Sequence, residues 1–169
     1  MLKRGDRVLI DTNAIGDAHA AKGWNALRQA FKLITVPECV AEATRPNRAG
    51  LVLVEKTAAV LAAELEVIPV DDAMRFRLLE ELNNEVALDA GERDLLSLAL
   101  REGRSIWRLC GPDKATLRAM HRIKRLDRMV SLEELLQLAG ATIRNLDHKE
   151  TKAWLSVKRT KLELGDDFI

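Results

Sequence analysis

A chain of 169 residues, 47% of them apolar, can bury one substantial core, whereas two full domains would be cramped. Lys and Arg number 27 against 26 Asp and Glu, so no global field of one sign announces a polyanion-binding protein, and local asymmetry must carry any such reading. With three Trp, three Phe and no Tyr, the core is aliphatic, and a nucleic-acid surface built on aromatic base stacking does not suit this composition.

Val8-Leu9-Ile10 is a continuous apolar run ending in Asp11-Thr12-Asn13, as a buried parallel strand does where its carboxyl end opens onto a polar loop. Residues 14 to 31 carry Ile15, Ala18, Leu27 and Phe31 at loosely helical spacing, with Gly16 and Gly23 weakening the middle. Leu33 to Val36 predicts a second strand, and Pro37 suits the first turn of a helix that runs to about Arg45 and is broken at Pro46. The Ala-, Leu- and Val-rich stretch from Leu51 to Leu65 predicts a helix, followed by a strand from Glu66 to Val70 that Pro69 confines to an edge or a strand end.

Asp72 can cap a helix over 73 to 87 whose inward stripe is Met74, Leu78, Leu79 and Leu82. Asp89-Ala90-Gly91-Glu92 opens a further helix, Arg93 to Arg101, which Gly103 ends. Ser105 to Cys110 predicts a strand; after Gly111-Pro112-Asp113 come a helix to about Lys124, a short strand at Met129-Val130 and the capping-box sequence Ser131-Leu132-Glu133-Glu134. Alternating strands and helices predict an α/β fold, a three-layer α/β/α domain over residues 1–140 with a mostly parallel central sheet. Residues 141–169 fit neither a clean helical stripe nor a hairpin and read as a C-terminal extension. No apolar run approaches the roughly 20 residues of a membrane span, and the stretch after Lys3-Arg4-Gly5-Asp6 is too short for a signal peptide, so a cytoplasmic protein is expected. Cys39 and Cys110, in apolar surroundings without CxxC spacing, are expected to be buried reduced thiols.

Four acids stand where such a sheet brings distant segments together: Asp11 after the first strand, Glu42 on the helix after the second, Glu92 at a helix start, and Asp113 after the strand ending at Cys110. The crevice of an open α/β sheet lies outside the carboxyl ends of its strands, so these side chains can share a cavity. Grouped carboxylates raise one another's pKa and are tolerable at neutral pH mainly beside a cation. Oxygen donors without Cys or His suit Mg²⁺ or Mn²⁺, and such an ion acidifies bound water, orients a phosphate and offsets charge on a leaving oxygen.

The stretches Val8-Leu9-Ile10-Asp11-Thr12-Asn13, Val36-Pro37-Glu38-Cys39-Val40-Ala41-Glu42, Leu88-Asp89-Ala90-Gly91-Glu92-Arg93-Asp94-Leu95-Leu96-Ser97-Leu98-Ala99 and Cys110-Gly111-Pro112-Asp113-Lys114 with Arg118 resemble, in order, the motifs of the PIN domain nucleases found in many bacterial toxin-antitoxin pairs. The resemblance implies a Mg²⁺- or Mn²⁺-dependent endoribonuclease in which Asp11, Glu42, Glu92 and Asp113 line the metal site and Asn13 orients the first acid by a hydrogen bond. It also implies an RNA substrate, with an antitoxin protein or a second copy of the chain as possible partners. Asp94 is the rival to Glu92, but positions two apart on a helix lie about 200° from each other and do not both face one cavity. Asp89 reads as a helix cap. Many relatives carry Thr or Ser where Gly111 stands, and often a second Asp beside the last; Gly111-Pro112 therefore puts catalytic rate in question more than fold, and a catalytically weak RNA-binding or partner-binding module is the alternative.

Each acid alone also has an ordinary reading as a helix cap or solvated surface group. The basic run Lys114, Arg118, Arg122, Lys124, Arg125 and Arg128 can be a solvated helix face; Lys114, Arg118 and Arg122 are the candidates for phosphate contacts. His19, His121 and His148 are scattered, and Trp24, Trp107 and Trp154 are read as packing anchors. A phosphatase of similar build would carry a second Asp where Asn13 stands.

Overall fold

The computed structural model describes residues 2–103, 105 and 107–166. Its chain order is β1 (Arg7–Ile10), α1 (Thr12–Ala20), α2 (Trp24–Ala30), β2 (Lys32–Thr35), α3 (Pro37–Thr44), α4 (Ala58–Ala62), β3 (Glu66–Val67), α5 (Asp72–Leu82), α6 (Ala90–Glu102), β4 (Arg108–Cys110), α7 (Lys114–Arg122), α8 (Leu132–Ala139) and α9 (Lys152–Glu163). Short 3-10 turns span Leu126–Arg128 and His148–Glu150.

The four strands form one sheet in the order β3-β2-β1-β4, every pair parallel. Alternate residues of each strand enter opposite cores, as the period-2 pleat requires: Leu9, Ile34 and Leu109 pack on one face, Val8, Ile10, Leu33 and Cys110 on the other. Helices α5, α6, α7 and α9 bury Leu78, Leu96, Leu117 and Leu155 against the first face, and α1, α2 and α8 bury Ile15, Leu27 and Leu135 against the second. The arrangement is an α/β fold compatible with three α/β/α layers. No helix among the described residues is long and apolar enough to cross a membrane.

Several predicted boundaries move. The single helix over 14 to 31 is two, because Lys22 adopts a left-handed φ of 58° and Gly23 meets Leu136 so closely that a Cβ there would stand 2.2 Å from its Cδ2. Of the stretch from Leu51 to Leu65 only Ala58–Ala62 is helical, started by the Thr57 cap; the Asn47 side chain accepts from the N–H groups of Ala49 and Leu51 and holds the preceding segment as a loop. The strand expected over Glu66 to Val70 is cut to two residues, and it does lie at the sheet edge. Met129 makes an isolated parallel bridge to Leu109 in place of a strand. Asp71, not Asp72, caps α5; the helix ends at Leu82 ahead of a left-handed Asn83, and Leu79 is exposed. Helix α7 stops at Arg122.

In the predicted strand from Ser105, Arg108–Cys110 is extended and paired, while Ile106 lies outside the described residues. The C-terminal segment is helical over Lys152–Glu163, and its Trp154, Leu155 and Leu162 belong to the same core cluster as Leu9 and Leu109; residues 167–169 lie outside the described residues. Both cysteines are buried and free, and all three tryptophans are buried.

Candidate functional site

Parallel register places the carboxyl ends of β1 and β4 side by side: Ile10 is opposite Cys110, and the Asp11 N–H donates to the Cys110 carbonyl at 3.0 Å. Asp11 leaves β1 as the N-cap of α1, its Oδ1 accepting from the Ala14 N–H at 2.7 Å, and its carboxyl is only 5% exposed. Asp113, three residues beyond β4, caps α7 by accepting from the Ala115 N–H at 2.6 Å. Asp89 and Glu92 form a capping box at the start of α6, each carboxylate accepting from the other's backbone N–H at 2.8 and 3.1 Å. Every one of these acids is thus held at a helix N-terminus, where the orphan N–H groups and the positive end of the dipole favour negative charge.

Glu42 comes from the last turn of α3 and is tied by the Thr12 hydroxyl, which donates to Oε2 at 2.8 Å. Two glycines make room for the carboxylates. A Cβ on Gly91 would stand 2.6 Å from Glu42 Oε2 and 3.2 Å from Cys39 Sγ, and one on Gly111 would stand 2.9 Å from Asp11 Oδ2 and 3.3 Å from its Cβ. The Gly111 that departs from the resembling motif is therefore the residue whose missing side chain admits the Asp11 carboxyl.

The acids sense one another. Burial pushes the Asp11 carboxyl up to about 7, and the charges of Asp113, Asp89 and Asp17 push the same way against the Ala14 hydrogen bond. Glu92 is raised by burial and then by Asp113 and Asp89, with Asp113 within hydrogen-bonding reach. Glu42 is raised by burial, with Thr12 opposing it and Asp89 adding to it. Asp89, read from the sequence only as a cap, is the carboxylate whose charge reaches all three. Asp94 is elsewhere: Arg75 of α5 grips both its oxygens at 2.8 Å, Arg93 stands 3.4 Å away, and these cations, Arg75 first, hold its carboxyl below the usual range.

Asn13 is exposed at the start of α1 and lines an adjacent cavity, so the side-chain tie to an acid of the site falls to its neighbour Thr12. Lys114 is exposed on the first turn of α7, beside Asp113, and Arg118 follows one turn on. Arg122, at the far end, is ion-paired with Glu85. A cavity of about 580 Å³ lies away from the acids, between the C-terminal half of α7 and α9, and counts Arg118, His121, Arg122 and Lys124 in its wall. Among the residues that line it the one carboxylate is Glu85, which is paired with Arg122. His19 stacks on Trp24 at 4.4 Å, far in role from any ligand set.

No family model matches this chain, and no curated protein matches it.

Asp11, Glu42, Glu92 and Asp113 offer only oxygen, the donor type that a hard divalent cation takes, and burial and neighbouring acids disfavour charge on Asp11, Glu42 and Glu92. Among the described residues these acids stand as repelling neighbours and not as three or more groups already closed into a ligand set.

Metal-free stability carries the signature of this arrangement. A carboxyl whose folded pKa is raised stabilises the fold fully below its unfolded value, 3.8 for Asp11, and that contribution is lost as pH rises through about 7. His19, whose pKa burial lowers, contributes the opposite slope, one group against several. The thermal midpoint in EDTA is therefore expected to fall between pH 5 and pH 8, by scanning calorimetry, and a flat or rising profile would contradict the burial of these charges.

Proposed function

We propose that the chain is a metal-dependent ribonuclease of PIN type that hydrolyses RNA phosphodiester bonds at the Asp11, Glu42, Glu92 and Asp113 carboxylates. The observation that carries this reading is the approach of Asp11 and Asp113 at the carboxyl ends of the paired strands β1 and β4, close enough for the Asp113 charge to be felt in the Asp11 carboxyl. Ordinary helix caps need not converge; these two come from segments about a hundred residues apart, and Gly111 leaves space for the Asp11 carboxyl as Gly91 does for that of Glu42.

A bound Mg²⁺ or Mn²⁺ would supply charge neutralisation and acidify water. The chain's own groups do the placing. Asp11 is the fixed donor, buried and locked by the Ala14 N–H. Thr12 aims Glu42, and the capping box with Asp89 aims Glu92. Lys114, next to Asp113, is positioned to meet a phosphate, and the cation-lined groove on α7 continues the path of a polyanion away from the acids.

A second reading, a catalytically weak RNA-binding or partner-binding module of the same build, is favoured by the acids standing unclosed among the described residues. Incubation of single-stranded and structured RNAs with Mn²⁺ separates the two: the nuclease reading expects cleavage that EDTA and Asp113→Asn each abolish. RNA retained on the protein without any cleavage supports the module, and cleavage indifferent to both Asp11→Asn and Asp113→Asn removes these residues from the reaction.

A further inference from the structure

Beside Asp113 opens a cavity of about 260 Å³ whose wall includes Asn13, Asp17, Asp113, Asp147, Lys149 and Glu150. Glu150 is its unusual member. It is 1% exposed, and both carboxyl oxygens are buried without a hydrogen-bond partner. Its backbone cannot withdraw, because it ends the 3-10 turn His148–Glu150 and feeds directly into α9, whose Trp154 and Leu155 are anchored in the core. An ionised carboxylate so placed is strongly unfavourable unless something takes up its charge. Lys149 lines the same cavity, yet the Glu150 oxygens accept nothing from it.

We infer that Asp17, Asp147 and Glu150 form a second binding site, for a hard divalent cation, distinct from the Asp11 cluster and built by the C-terminal segment against α1. The donors are all oxygen: three carboxylates and the Asn13 side-chain amide, with no Cys or His in the cavity wall, which selects Mg²⁺, Mn²⁺ or Ca²⁺ over zinc. Among the described residues the three carboxylates do not stand as a closed ligand set; Glu150 is the buried donor, and Asp17, part-exposed, and Asp147, exposed, would turn toward it to close on the ion. The cation would cross-link the end of the chain to α1 and shield Asp11 from Glu150. Asp113 and Asn13 line this cavity as well, so the site adjoins the Asp11 cluster, but its three carboxylates are none of the four that the nuclease reading uses.

Mn²⁺ titration of the full chain by calorimetry, with melting in the same buffers, tests it. The expected result is two Mn²⁺ per chain in the parent and one in Asp17→Asn and in Glu150→Gln, or at least a tenfold loss of affinity at one site. Asp11→Asn is expected to retain the ion that Glu150→Gln loses. Should Glu150→Gln fail to fold by circular dichroism, Asp17→Asn and Asp147→Asn, nearer the surface, give the same readout. One ion abolished by Asp11→Asn and untouched by Asp17→Asn or Glu150→Gln overturns the second site and leaves the nuclease reading intact. Two ions without RNA cleavage does the reverse.

Discussion

Asp11→Asn is expected to abolish Mn²⁺-dependent RNA cleavage, by about a thousandfold or more, while raising the melting temperature of the metal-free protein. The two effects have opposite signs because the residue occupies two roles. As a cap it needs one acceptor oxygen for the Ala14 N–H, 2.7 Å away, and Asn supplies one in the same place. As a charge it is costly: the carboxyl is 5% exposed and its pKa stands near 7 instead of 3.8. Each pKa unit corresponds to about 1.4 kcal/mol, so removing the charge at pH 8 relieves up to roughly 4 kcal/mol, and relaxation of the site brings the realised gain to about half of that. A domain of this size then melts a few degrees higher. Loss of the fixed donor of a metal site removes several kcal/mol of transition-state stabilisation, which sets the scale of the kinetic loss. Paired melting and cleavage assays read both. A variant that melts lower and cleaves normally would make Asp11 a cap and nothing more.

The parts of this protein legible in its sequence are those fixed by local chemistry. Val8-Leu9-Ile10 before Asp11 and Leu33-Ile34 before Pro37 mark the central strands because a strand covered on both faces needs unbroken apolar residues. Ser131 and Glu134 mark the start of α8 because the box closes within four residues. Composition misled where geometry is long-range. The Leu51 to Leu65 stretch has helical composition, yet Asn47 folds its first half into a loop and leaves Leu51, Val52 and Leu53 exposed. The break between α1 and α2 answers to Leu136, more than a hundred residues away. At the site the same division holds. Asp11, Glu42, Glu92 and Asp113 were readable as acids at strand ends and helix starts, and the angular argument separating Glu92 from Asp94 has its counterpart in the Arg75 grip on Asp94. Thr12 carries no sequence signal of its own, because its tie to Glu42 spans thirty residues. Asp17 and Glu150 left no signal, because their meaning depends on where the chain's last helix packs.

Gly111→Ala is the most informative single methyl group that can be added to this protein. At an exposed loop position a Gly→Ala change is commonly stabilising, by roughly 0.4–1 kcal/mol, because it restricts the unfolded chain. Gly111 is buried, is not among the positive-φ residues, and would place its Cβ 2.9 Å from Asp11 Oδ2, 3.1 Å from Cγ and 3.3 Å from Cβ. The Asp11 Cβ is fixed to the backbone just past β1, so the side chain cannot swing clear without leaving the Ala14 N–H. Overpacking of this kind costs about 1–3 kcal/mol, which outweighs the unfolded-state gain. Gly91→Ala provides the contrast. Its nearest atom is the far end of the Glu42 side chain, which can rotate, and Ala in the first turn of α6 is favoured over Gly by up to about 1 kcal/mol. That variant is expected to melt within a degree or two of the parent, yet to bind Mn²⁺ about tenfold more weakly as Glu42 leaves Thr12. Chemical denaturation and Mn²⁺ titration of both variants separate the cases: equal stability losses at the two glycines would mean that the methyl groups act on packing alone and that neither glycine serves the carboxylates.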